Sequence, residues 1–395
     1  MNKNPGNKSV LIFVDSDSQI FGALPHAHAF RDKGWQVVFG LGDAGSIPAA
    51  ALDRLGGAFE TFPLEYTEVA GHVLDAGYNV VGVFSKASKI HRVRQQVEQK
   101  CNGENVRRPG LFTAFNGFTY ERFEEGLAWR VGYDLIALNG PRDVASLQDF
   151  LAFGECSKQP YRISGLKPSR LREAGEASRP DKKVFVFAEQ VIVPRSRAQR
   201  LYLVAELRRL ALDNPDWTLK IKCRVKKTER TFHRVSYHFQ DLLARLGPTP
   251  ANLEITYQGM PELLREATLF GTISSTAFFD ALHEGVPSIV FSDFGIANAL
   301  GTHAFAGSGV AVRLKDLGSL SEIVGLMPNA GWLEWVGAAN VEAGQVAGYF
   351  DGKAFHGHQF EPQYLDARAV EVWEETKKRF VFGAVLSRMI GMFRK

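Results

Sequence analysis

The feature that most constrains this chain is the run Ser9 to Val14 (SVLIFV), which stops abruptly at Asp15-Ser16-Asp17-Ser18. Six residues with no polar alternation do not suit a strand with one wet face. They suit a strand covered on both sides, as in a parallel sheet flanked by helices. The continuation supports this. A helical stretch runs from about Gly22 to Lys33, Gly34 ends it, and Trp35 to Gly40 (WQVVFG) reads as the next strand. Strand, helix, glycine, strand is the βαβ unit.

The rhythm repeats. Gly45 to Leu55 reads as a helix, Phe59 to Pro63 as a short extended piece and Asn79 to Phe84 as a strand. Ile90 to Cys101 is a polar helix, Leu111 to Ala114 a weaker strand, and Tyr120 to Arg130 helical. Tyr133 to Leu138 is a strand ending at the turn Asn139-Gly140-Pro141, and Val144 to Phe153 the next helix. From Lys167 to Lys183 the texture turns to Lys, Arg, Glu, Ser and Pro with no apolar run, which marks a domain boundary. Lys183 to Ala188 (KVFVFA) restarts the alternation, followed by a helix over Pro194 to Asp213 and strands at Trp217 to Cys223, Leu253 to Thr256, Leu269 to Ile273 and Pro287 to Phe291. Short helices are expected at Asp241 to Leu246, Pro261 to Ala267, Thr276 to His283 and Leu320 to Leu326, and a longer one at Pro362 to Arg379. The expected layout is α/β: two Rossmann-like domains, 1–165 and 183–360, facing a central cleft, with a helical segment at 361–395.

Composition narrows the function classes. A length of 395 residues suits two domains, and 45% hydrophobic with 23% charged residues is enough to bury a core. A net charge of +4 does not argue for a nucleic-acid binder. Cys101, Cys156 and Cys223 are too scattered for a disulfide framework or a CxxC metal site, and fit a reducing, cytoplasmic setting. The polar start, Met1 to Ser9, lacks the apolar region of a signal peptide, and no run of 18 apolar residues is present. The segment Lys377 to Lys395 interleaves Phe380, Phe382, Leu386, Met389 and Phe393 with six basic residues. Such a segment can lie on an anionic membrane face, here the inner face of the cytoplasmic membrane, or pack back onto a domain as a helix.

In parallel sheets ligands bind beyond the carboxyl ends of strands. Ser274-Ser275-Thr276 follows one strand and opens a helix, so its hydroxyls and N–H groups suit a phosphate; capping alone explains one hydroxyl, not three. Lys222 and Arg224 end another strand, with Lys220 on the same face, and can neutralise a phosphate or stand as a solvated basic loop. His233, further along that loop, and Gly259, after the strand Leu253 to Thr256, complete the donor-side candidates. Asp15 and Asp17 close the first strand, where a carboxylate can take a proton from an acceptor hydroxyl or simply cap a turn; Asp17 lies further out. His26 and His28 follow in the helix, and Asn139 and Arg142 occupy a strand end suited to an acceptor. GxGxxG after the first strand, GxxxxGK[ST] and GxSxG are all absent, so dinucleotide, P-loop and nucleophile-elbow chemistry are unsupported. His356 and His358 have no carboxylate motif beside them and do not read as a metal site.

The run Gly271 to Pro287 (GTISSTAFFDALHEGVP) resembles the nucleotide-sugar half of GT-B glycosyltransferases. More narrowly, it is similar to bacterial sialyltransferases and related ulosonic-acid transferases, whose double-Ser motif holds the phosphate of a CMP-sugar. Lys220 to Arg224, Thr231-Phe232-His233 and Asp293-Phe294-Gly295 resemble uncharacterised glycosyltransferases of bacterial surface-polysaccharide loci. The resemblance covers residues 183–310 closely and the N-terminal half in layout; the His-Pro pair of the sialyltransferases is absent. It implies a GT-B-like fold, with 1–165 on the acceptor side and 183–360 binding the nucleotide sugar. It further implies an inverting transfer to a glycan or lipid-linked acceptor, with Asp15 or Asp17 as base. The nucleotide sugar is substrate; no cofactor and no metal are expected, because the basic and hydroxyl groups can neutralise the phosphate. A non-hydrolysing UDP-GlcNAc 2-epimerase, or a glycan-binding protein on the same fold, is the alternative.

Overall fold

A computed structural model describes residues 8–119, 122–152, 159–166, 183–191, 193–224, 237–339, 344–353 and 374–375. His233, His356, His358 and the segment Lys377 to Lys395 lie outside the described residues.

The first unit comprises residues 1–168 together with 336–395. Its elements are β1 (Ser9–Val14), α1 (Asp17–Asp32), β2 (Gln36–Leu41), α2 (Ala49–Leu52), β3 (Glu60–Pro63), α3 (Val69–Ala76) and β4 (Val80–Phe84). α4 (Ala87–Glu104), β5 (Gly110–Ala114), α5 (Phe123–Ala128), β6 (Leu135–Leu138), α6 (Pro141–Ala152) and β7 (Tyr161–Ile163) follow. The sheet is parallel throughout, ordered β3-β2-β1-β4-β5-β6-β7. β1 pairs on both sides, Val10 standing opposite Val37 and Val80. Its side chains from Val10 to Val14 are fully buried, each contributing about 1.5–3 kcal/mol. An Ile12→Asp change would bury an unpaired charge there and break the sheet at its centre.

The second unit comprises residues 169–335. It runs β8 (Val184–Ala188), α7 (Arg197–Asp213), β9 (Thr218–Lys222), α8 (Phe239–Ala244), β10 (Leu253–Thr256), α9 (Met260–Glu266), β11 (Leu269–Thr272), α10 (Ala277–His283), β12 (Ser288–Phe291) and β13 (Ala311–Val312), with α11 (Ala330–Val336) at its close. This sheet too is parallel, ordered β10-β9-β8-β11-β12-β13. Ser196 caps α7 by accepting from the Gln199 N–H, and Leu203, Val204, Leu207 and Leu210 line its buried face.

Both units are Rossmann-like, as the alternation implied. Several details differ from it. From Val336 onward the chain rejoins the first unit, whereas the sequence assigned 183–360 to the second. The reason is α12 (Gln345–Lys353), whose Val346, Ala347 and Phe350 are buried in the first unit's core. Phe350 lies 5.8 Å from the Phe112 ring and sits over Gly110, where a Cβ would meet it at 2.6 Å. α3 was not expected, since Gly71 interrupts its pattern; Gly77, at φ +62°, ends it. The helices expected over Gly45 to Leu55 and Leu320 to Leu326 shrink to four residues, Ala49–Leu52, and a single 3₁₀ turn, Leu320–Glu322.

Candidate functional site

In each sheet the strand order reverses at one point, between β1 and β4 in the first and between β8 and β11 in the second. Helices leave such a point in opposite directions and open a crevice at the carboxyl ends.

In the first unit that crevice is built on Asp15. The apolar run of β1 ends at Val14, and the next side chain is only 1% exposed. Oδ2 accepts from Ser85 Oγ at 2.6 Å, just past β4, and from Lys89 Nζ at 3.1 Å, in the first turn of α4. Oδ1 is equally buried and has no partner among the described residues. The same holds for Gln19 Oε1 on α1 and Asn116 Oδ1 just past β5. Asn116 packs against Gly22, where a Cβ would lie 2.2 Å from its Oδ1. Gly22 therefore allows α1 and the Asn116 loop to approach. Asp17 is different. It is exposed in the first turn of α1, and its Oδ1 accepts from the Ser18 N–H at 2.7 Å.

His26 lies on the inner face of α1, against Phe84 and Phe112 at 5.7 and 5.9 Å between ring centroids. Burial pushes its pKa down to about 4, so the ring is neutral near pH 7. His28 instead meets Arg31 at 2.9 Å and the Phe59 ring, away from β4 and β5. Asn139 and Arg142 form a local brace. The Asn139 N–H donates to Asp143 Oδ2 at 3.0 Å, and Asn139 Nδ2 to the Gly117 carbonyl at 3.2 Å. Arg142 binds Asp143 and the Thr119 carbonyl, both at 2.7 Å, and covers the Phe118 ring. Burial raises the Asp143 pKa, with Arg142 acting against it. These bonds fasten the loop after β5 to α6.

In the second unit the crevice brings Gln190, past β8, onto Ser274, past β11. The Ser274 N–H donates to Gln190 Oε1 at 2.9 Å, Gln190 Nε2 donates to Ser274 Oγ at 3.2 Å, and Ser274 Oγ donates to the Leu300 carbonyl at 2.6 Å. Ser274 is thus spent on inward bonds. Ser275, half-buried, accepts from the Ala277 N–H at 3.2 Å; Thr276 is exposed. Beneath them Arg200, 1% exposed, forms an ion pair with buried Glu189 and donates to the Tyr237 and Gln190 carbonyls at 3.0 and 3.2 Å. Its guanidinium lies 4.4 Å from the Phe239 ring centre. Burial pushes the neighbouring Cys223 thiol far up, so it is no nucleophile.

The expected cationic face divides. Lys220 pairs with Glu254 at 3.2 Å and Glu266 at 2.7 Å. Lys222 is half-buried and donates to the Cys223 carbonyl at 3.0 Å, and Arg224 is exposed at the end of the run. Gly259 is exposed, directly before α9. Among the described residues no cluster of three His, Cys, Asp or Glu side chains could hold a metal ion, and no helix is long and apolar enough to cross a membrane.

Residues 10–346 match the model of a family described as "Putative glycosyltransferase (DUF6716)". The chain belongs to this family. Among solved structures, the chain is similar to the glycotransferase of kitacinnamycin, with 13% identity, 88% of this chain and 99% of that one covered, and a TM-score of 0.54. It is as similar to the UDP-GlcNAc 2-epimerase of Neisseria meningitidis bound to UDP-GlcNAc, with 10% identity, 87% and 98% covered, and a TM-score of 0.53. MnaA of S. aureus, solved with UDP, gives 10% identity, 87% and 95% covered, and a TM-score of 0.53. No curated protein sequence matches the chain. At these identities the likeness concerns the fold, which is GT-B-like and shared by transferases and epimerases of nucleotide sugars.

Sequence reasoning missed Lys89, Gln19, Asn116 and Arg200. For Arg200 a signal existed: it falls on the apolar stripe of α7, one turn before Leu203 and Val204. A charge on a buried stripe needs a buried partner. Asn116 also had one, in its place just past the Leu111 to Ala114 strand.

Proposed function

We propose that the chain transfers a sugar from a nucleotide-sugar donor to an acceptor hydroxyl, with inversion. Two assignments make up the reading, one in each unit. The donor phosphate is assigned to the edge after β11, at Ser275 and Thr276, with Lys222 and Arg224 supplying charge and Ser274 holding the turn. The base is assigned to Asp15. The observation that carries the reading is Asp15 Oδ1, buried at the β1–β4 crevice with no partner among the described residues while Ser85 and Lys89 hold Oδ2. A carboxylate held by one oxygen keeps the other in a fixed direction, and an acceptor reaches the buried Oδ1 only when the groups over it move aside. The acceptor O–H would give its proton to Oδ1 as its oxygen bonds to the anomeric carbon. The bond from that carbon to the phosphate oxygen breaks, and the phosphate leaves with the electron pair. Asp17, already bonded to the Ser18 N–H and open to water, is the weaker candidate.

Family membership favours transfer. A second reading, epimerisation of a UDP-sugar, is favoured by the equal likeness to the epimerase folds. Incubation with UDP-GlcNAc alone separates them: an epimer formed without acceptor sinks the transfer reading, and product that requires an acceptor glycan or lipid-linked saccharide supports it. The donor is proposed to be CMP-activated, such as a sialic-acid-like ulosonic acid, on the strength of the Ser274-Ser275 pair. Thermal shift with CMP and CDP against UDP and GDP tests that, since a ligand of the folded state raises its apparent stability. Stabilisation by UDP alone would overturn the CMP assignment. Peripheral binding of the segment Lys377 to Lys395 to anionic membrane remains part of the proposal, checked by vesicle co-sedimentation with and without it.

A further inference from the structure

On the first unit, residues of α3, of α4 and of the carboxyl end of β3 line a groove of about 840 Å³. The groove is open to solvent rather than enclosed, and its volume is that of a small-ligand site, roughly 300–1,000 Å³. Phe62, Glu68, His72, Asp75, Gln96 and Lys100 line it. Gln96 lies seven residues beyond Lys89 on α4, so at ~1.5 Å per residue the groove is about 10 Å further along the helix than the Asp15 ion pair.

Two of these lining side chains each carry an unusual atom in the groove wall. His72 Nε2 and Gln96 Oε1 are buried and have no partner among the described residues. A buried polar atom without a partner is costly, and proteins rarely keep one without a use. The His72 ring is held between Phe62, at 4.6 Å, and Tyr78, at 5.9 Å, which sets its plane. Lys100, the cation of the lining, is 3.7 Å from Glu104, while Glu68 and Asp75 add negative charge. An anionic ligand is therefore disfavoured. Gln96 Oε1 requires a donor, and His72 Nε2 takes either a donor or an acceptor according to its tautomer. A hydroxyl serves both, and the half-buried Phe62 ring offers an apolar face beside them. We infer that the α3–α4 groove is a second binding site, which takes a short neutral saccharide through paired hydroxyls. The site is separate from the transfer reading, because it needs neither donor nor turnover.

The test uses the full chain without nucleotide. Calorimetry is run with maltotriose, mannotriose and chitotriose, and hydrogen exchange locates any binding. At least one neutral trisaccharide should bind and protect Val69–Ala76 and the second half of α4. Gln96→Leu and His72→Phe should each weaken it about tenfold or more, a loss a merely structural role would not produce. Because each change removes a buried atom that lacks a partner, the melting temperature should hold or rise. His72→Phe keeps the ring stack, so it decides the matter if Gln96→Leu folds poorly. Binding of a sulfated trisaccharide as tight as of a neutral one would overturn the ligand class. Protection at Asp15 rather than α3, unchanged affinity in both variants, absence of binding by all three sugars, or self-association that the two changes abolish would overturn the site.

Discussion

The two crevices are built from the same strand order and do opposite things with their polar groups. After β8 and β11 the inner groups satisfy one another: Gln190 with Ser274, Ser274 with the Leu300 carbonyl, Arg200 with Glu189 and the loop carbonyls. What remains outward is hydroxyl and cation: Ser275, Thr276 and Arg224. After β1 and β4 one carboxylate oxygen, one Gln and one Asn oxygen have no partner among the described residues. A closed polar frame gives rigidity, which suits holding an anion. An uncommitted acceptor gives reactivity, which suits taking a proton. The shared topology fixes where ligands go; the hydrogen-bond accounting at each edge distinguishes their roles.

The largest expected effect would break the closed frame. Arg200→Met should leave Glu189 buried without its cation and destabilise the second unit by about 3–5 kcal/mol. A denaturant series read by a probe in that unit checks it, and a loss below about 1 kcal/mol would show that the pair is not holding the edge.

The next concerns the less committed unit. Folded His26 has a pKa near 4 against 6.5 for an ordinary histidine, so as pH falls the unfolded chain takes up its proton first. Its contribution is complete above pH 6.5, is lost as pH falls towards 4 and is flat below. The total is about 3 kcal/mol, since one pKa unit is worth ~1.4 kcal/mol. His26→Leu should flatten this slope in a pH series of unfolding midpoints; a slope unchanged by the substitution would assign it elsewhere.

Asp15→Asn sharpens the contrast most directly. It should lower turnover roughly 10²-fold or more while nucleotide affinity stays near normal. Asp17→Asn should leave turnover within about threefold, because its carboxylate serves the turn at Ser18. The reverse ranking in steady-state rates would move the base to the helix end.

Smallest is the loss of an outward hydroxyl. Ser275→Ala or Thr276→Val should each weaken nucleotide binding about tenfold, near 1.5 kcal/mol, the low end for a hydrogen bond to a charged group. Ser274→Ala should act mainly on stability, through the Leu300 carbonyl. If Ser274→Ala cost the most affinity and the other two none, the phosphate site would be inside the frame rather than on it.

How much of this was legible depends on how local each signal is. β1 and β8 declared themselves because a strand buried on both faces has nothing to alternate. The strand ends followed from them, and with them Asp15, Ser274 and Asn139. The roles did not follow. Whether Asp15 or Asp17 points inward turns on Ser85 and Lys89, some 70 residues away in sequence. Whether the Ser274 hydroxyl is free turns on Leu300. Arg142 read as a ligand-binding charge and is found bonded to its own neighbour, Asp143. β7 and β13, of three and two residues, are too short to leave a periodic trace.

The return of the chain at α12 bears on how the molecule is made. The first unit's core includes Val346, Ala347 and Phe350, so its early strands are completed by residues translated some 300 positions later. Until then Phe30, Phe112 and the flat patch over Gly110 lack their cover, while the second unit, contiguous in sequence, has all its strands at hand. Domains generally fold as units during synthesis, N-terminal ones first. Here the order of availability is inverted: every strand of the second unit is translated before the first unit's last core residues, so the first unit's core lacks its cover until about residue 350 has emerged.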